Sequence, residues 1–64
     1  MLIELTREDG VKMLINVDNM LAVLPPRAGA IEKNPAIQSE ILFVGGLMIA
    51  VQESIIRIKE LYAS

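Results

Sequence analysis

The chain has 64 residues, neither cysteine nor histidine, a net charge of −2 and a hydrophobic fraction of 53%. These figures exclude a disulfide framework, a thiolate nucleophile, the commonest general base and most zinc sites. A single small domain, 1–64, buries only about 60% of the surface its unfolded chain exposes, so this apolar fraction predicts surface left over for partner chains.

Residues Met1 to Arg7 alternate, with Ile3 and Leu5 on one face and Leu2, Glu4 and Thr6 on the other, which is the period of a strand. Glu8-Asp9-Gly10 separates them from a second run, Val11 to Ile15. A two-residue Asp9-Gly10 loop would set Ile3 opposite Asn16 and Glu4 opposite Ile15, mixing the faces. A three-residue loop with Gly10 left-handed sets Ile3 opposite Ile15, Leu5 opposite Met13 and Arg7 opposite Val11, and is preferred. On the reverse face Glu4 meets Leu14 and Thr6 meets Lys12.

Asn16 to Asn19 carries side chains that bond their own backbone and reads as a tight turn. Met20 to Leu24 follows as a third strand, ended by Pro25 and Pro26. From 25 to 39 the composition turns to proline, glycine and both charge signs, which reads as a long loop: mobile, a short helical insertion or a binding segment. Ile31 and Ile37 are placed to tether it.

Glu40 to Ser54 is the densest apolar stretch, and the expectation is strand Glu40 to Val44, a turn at Gly45 and Gly46, and strand Leu47 to Val51. One continuous helix from Ser39 to Tyr62 competes, but the glycine pair and the β-branched Ile41, Val44, Ile49 and Val51 favour strands. A C-terminal helix, 53–62, is expected from Val51, Ile55, Ile58, Leu61 and Tyr62, with Ser54 as N-cap and Glu53 paired with Arg57. Ile56 falls off this stripe and is the candidate for self-association.

The longest uncharged run, Ile41 to Gln52, is too short for a membrane span, and MLIELTRED lacks the basic start of a secretory signal. No membrane insertion and a cytoplasmic location are therefore expected. Glu4, Glu8 and Asp9 lack the ordered spacing of a calcium loop, and no phosphate-cradling motif surrounds Gly45 and Gly46. No catalytic, metal or cofactor residue is assigned and no enzymatic activity is expected. The cations Arg7, Lys12, Arg27 and Lys33 are the candidate contacts for a partner or for RNA. Only Phe43 and Tyr62 are aromatic, which leaves little for stacking on bases.

MLIELTREDG, Ile15-Asn16 and IAVQES resemble the FlbD-like flagellar and swarming-motility proteins and related small phage proteins. The matching positions are Ile3, Leu5, Thr6, Arg7, Gly10, Ile15, Asn16, Val51, Glu53 and Ser54, while 25–39 has no counterpart. The resemblance implies a non-enzymatic accessory factor. MLIELTRED and IAVQESIIRIKE also resemble the carbon storage regulator family of RNA-binding β-rich dimers. That family carries basic residues on its first strand and at its last strand-to-helix junction. Arg7 matches the first, whereas Gln52, Glu53 and Ser54 occupy the second.

The expected architecture is α+β and mostly β: a five-stranded antiparallel open barrel of Sm-like or SH3-like type, two hairpins around a central strand, with one C-terminal helix. The expected function is that of a non-enzymatic accessory or regulatory protein that self-associates and binds a protein partner; a small RNA-binding regulator is the alternative, with RNA the disfavoured partner.

Overall fold

A computed structural model describes residues 1–63. In chain order they form β1 (Leu2–Thr6), β2 (Lys12–Asn16), a 3-10 turn (Val17–Asn19), β3 (Met20–Leu24), α1 (Ala28–Lys33), β4 (Ser39–Phe43), β5 (Met48–Val51) and α2 (Ile55–Ala63). The mostly-β expectation holds, with the strands divided between two antiparallel sheets, β1-β2 and β3-β4-β5, that do not close into a barrel. The third strand is an edge of the second sheet.

The first hairpin has the register that alternation demands: Ile3 opposite Ile15, Glu4 opposite Leu14, Leu5 opposite Met13 and Thr6 opposite Lys12. Its three-residue loop closes with the Gly10 amide donating to the Arg7 carbonyl and the Arg7 amide to the Val11 carbonyl, with Gly10 at φ +89°. Asn16 then caps the 3-10 turn, its side chain accepting from the Asp18 amide at 3.1 Å.

The second hairpin corrects the expected turn. Ser39 lies opposite Val51, Ile41 opposite Ile49 and Leu42 opposite Met48, and the Phe43 amide donates to Leu47. The loop is therefore Val44-Gly45-Gly46, one residue longer than a Gly-Gly turn, with φ +93° at Gly45 and +89° at Gly46. A two-residue turn would oppose Ile41 to Ala50; the longer one opposes it to Ile49, which packs against the core.

The segment 25–39, expected as a long loop, takes one of the three forms offered for it, a short helical insertion: it holds the six-residue α1 and the start of β4. Ala28, Ala30, Glu32 and Lys33 favour helix, and Asn34-Pro35 ends it. So short a helix is marginal alone. It is fastened at both ends, where the Arg27 amide donates to Glu40 Oε1 at 2.8 Å and Asn34 Nδ2 to the Glu8 carbonyl at 2.6 Å. Ile37 is buried and anchors the return to β4, whereas Ile31 is 43% exposed.

The two sheets share one core of Ile3, Leu5, Ile15, Val17, Ile41, Phe43, Val51 and Ile58. They are stitched by an Arg7–Val51 bridge and by Gln52 N–H to the Thr6 carbonyl, while Val17 N–H to the Met1 carbonyl extends the first sheet and Val44 N–H to the Asn19 carbonyl the second. Ser54 caps α2 as expected, its Oγ accepting from the Arg57 amide at 3.1 Å, and the helix begins at Ile55 where 53 was expected. Ile58 and Leu61 of α2 pack on the core, while Ile55 and Tyr62 stay exposed. None of the helices is long and apolar enough to cross a membrane among the described residues.

Gly10 has open space where a Cβ would stand, so a side chain there meets backbone strain and no clash. Gly10→Val is expected to destabilise the domain by more than about 1 kcal/mol, measured by urea denaturation. An unchanged midpoint would show that the loop does not hold Gly10 left-handed in solution.

Candidate functional site

Three of the four candidate cations converge. Arg7 at the end of β1, Arg27 before α1 and Lys33 in its last turn line one open groove of about 770 Å³. Met48, Ile49 and Ala50 of β5 lie along it with Met13, and the acids Glu8 and Glu40 also line it. Lys12 is elsewhere, its ammonium donating to Thr6 Oγ1 at 2.8 Å.

The two arginines are already engaged. Arg7 Nε donates to Asp9 Oδ1 at 2.9 Å and its Nη2 to Asp9 Oδ2, while Asp9 Oδ1 also accepts from the Val11 amide. Its hydrogen bond from Arg7, with that of the Val11 amide, lowers the Asp9 carboxyl to about 2, and the same contact raises Arg7. Asp9 thus shapes the turn.

Arg27 forks onto Glu40, with Nε to Oε1 at 3.0 Å and Nη2 to Oε2 at 2.8 Å. The Glu40 side chain is only 4% exposed, whereas that of Arg27 is 74% exposed, so the guanidinium brings charge compensation from the surface to a carboxylate sealed beneath it. The hydrogen bonds from the Arg27 side chain and backbone hold Glu40 below the usual carboxylate range, and its carboxylate holds Arg27 above its ordinary value. Only Lys33 of the three makes no ion pair among the described residues. The groove therefore presents little uncommitted positive charge to a phosphate.

A second polar cluster was missed from sequence. Glu53 is not paired with Arg57: its Oε1 accepts from the Thr6 amide and its Oε2 from Thr6 Oγ1, both at 2.7 Å. Arg57 instead lies 3.7 Å from Glu60. The four-residue pairing rule needs both residues inside a helix, and Glu53 precedes the N-cap. Its position before Ser54 was the available signal. Ser39 Oγ donates to the Glu53 carbonyl at 2.7 Å, so β1, β4 and the entry to α2 meet at this one residue. Every buried side-chain polar atom among the described residues has a hydrogen-bond partner.

Of the remaining residues singled out, Ile56 is 73% exposed and lies across α2 from the buried Ile58. Among the described residues no group of three or more acids is placed to hold a metal ion. No protein-family model, curated protein or solved structure matches the chain.

Two outcomes test this geometry. Because the folded-state value of Glu40 is depressed, its contribution is fully present above its unfolded value of about 4.3 and is lost as pH falls through the folded one. Thermal melts of Glu40→Gln are therefore expected to lose less stability than the parent between about pH 5 and pH 3; parallel acid limbs would count against the Arg27–Glu40 pair. Thr6→Val, which removes the hydroxyl shared by Glu53 and Lys12, is expected to cost about 1–2 kcal/mol in denaturant titrations.

Proposed function

We propose that the chain is a non-enzymatic accessory or regulatory protein that works by docking to other polypeptide chains, itself included, similar in kind to the FlbD-like factors. The carrying observation is exposure. Among the described residues, twelve large hydrophobic side chains are exposed, against nine in the buried core. The apolar excess in the composition is thus spread over the outside, where scattered singles would be ordinary but grooves are informative. Leu14, Val44 and Leu47, each more than half exposed, flank one groove beside Phe43 and Ile49; β3 and α2 flank another.

The finer architectural reading, an open Sm-like or SH3-like barrel, is supported by the Arg7–Val51 bridge that connects β1 to β5. The alternative function, RNA binding, draws support from Arg7, Arg27 and Lys33 sharing a groove. Against it stand the carboxylates Asp9 and Glu40, which occupy both guanidinium forks that would clamp phosphates.

Electrophoretic shift with a pooled single-stranded RNA near physiological salt separates the two. No binding is expected below about 10 μM, a level at which even non-specific phosphate contacts register. A tight, salt-sensitive shift abolished by Arg7→Ala would replace the protein-docking reading with the RNA one.

A further inference from the structure

Two sheets present four outer strand edges, and two of them, those of β1 and β5, are guarded. β1 has Glu4 at its centre, and its Thr6 end is occupied by the Glu53 carboxylate and the Gln52 amide. β2 carries one charge, Lys12 at its start, whose ammonium reaches inward to Thr6 Oγ1 of β1 and so marks the strand without covering its outer edge. β5 is bridged at Val51 by Arg7, and Arg27 and Lys33 share the groove along its outer side. Charges and covering groups of this kind are how an edge is kept from pairing with another chain.

The outer edge of β3 differs. Met20-Leu-Ala-Val-Leu24 has no charged residue. A register shift between Met20 and Ala22 bounds it at one end, and Pro25-Pro26 at the other. Between those limits the direction of the backbone follows from the ladder. The Val44 amide donates to Asn19 and the Phe43 amide to Leu47, so Leu42 and Glu40 turn their backbone groups toward β3, opposite Ala22 and Leu24. Val23, opposite Ile41, turns its N–H and C=O outward.

That outward edge opens into an apolar groove of about 390 Å³, walled on its far side by Ile55, Ile58 and Tyr62 of α2. Leu21 is 64% exposed and Tyr62 60%. Lys59 is the one charged residue lining the groove.

We propose that this groove is the self-association surface, and that its occupant is β3 of a second copy, paired antiparallel across a two-fold axis at Val23. An uncharged strand edge is its own complement under such an axis: each Val23 N–H meets the other copy's Val23 C=O, and no like charges are brought together along the strand. The bulge and the prolines confine the pairing to a few residues and so fix its register. Leu21, Ile55 and Tyr62, with the half-buried Val23, offer on the order of 300 Å² of apolar surface per copy. A small specific interface needs roughly 600 Å² per partner, a little over half of it apolar, so this area suits a reversible dimer and not a permanent one.

The inference rests on the docking reading above, and its test is separate: the RNA shift addresses that reading, whereas the oligomeric state addresses β3. Sedimentation velocity of the whole chain from 5 to 500 μM is expected to show a monomer–dimer equilibrium. Leu21→Lys, which places a charge on the exposed bulge, is expected to weaken the dimer at least tenfold with the melting temperature preserved. Ile56→Lys, outside the groove, is expected to leave it unchanged. A mixed sample of isotope-labelled and unlabelled chains is expected to show intermolecular contacts at Val23. A monomer at 500 μM would overturn the proposal. So would a dimer insensitive to Leu21→Lys, or one broken by Ile56→Lys alone.

Discussion

The fold turns on the Glu53 carboxylate, which accepts two hydrogen bonds from Thr6 across 47 residues of chain. The two sheets contact each other mainly through side chains, and a side-chain core of this size leaves their relative position weakly specified. Glu53 converts that loose apposition into a fixed one. It ends the free edge of β1 at Thr6, receives Ser39 from β4 at its own carbonyl, and leads directly into the capped start of α2. The Arg7–Val51 bridge and the Gln52 amide lie beside it, so one small region aligns both sheets and the helix.

Legibility in the sequence follows interaction range. The first hairpin could be read to the residue because only one loop length puts Ile3, Leu5, Met13 and Ile15 on one face, and β3 could be bounded because prolines stop it. The second hairpin was one residue out: Val44 serves equally as a last strand residue or a first loop residue, and glycine doublets accept either turn. The helical turn at 28–33 was one of three readings and acquires its order from Glu40 and Glu8, which no local pattern reveals. Glu53 was placed on the helix because a nearby arginine offered a familiar spacing, while its actual contacts lie at the other end of the chain.

The candidate cations show the same limit. Arg7, Arg27 and Lys33 do share a groove, and composition alone pointed to them as the available positive charge. What sequence could not disclose is that two are already bound to carboxylates. Asp9 is near enough in sequence to be suspected, but Glu40 sits in the most apolar stretch of the chain and is buried under Arg27. Charge counting treats these residues as available; geometry places them in the scaffold. Positions carrying the family resemblance behave likewise: Thr6, Gly10, Asn16, Glu53 and Ser54 all cap, turn or join elements here.

The clasp between Arg27 and Glu40, 13 positions apart, closes the neck of a loop that contains α1. The entropy of closing a flexible loop grows only with the logarithm of its length, about 0.6 kcal/mol for each doubling. A segment pinched at its base in this way can be lengthened or exchanged at little thermodynamic cost to the sheets. The short helical turn between Arg27 and Asn34 is thus a place where an engineer can install new recognition at small entropic cost to the strands beneath.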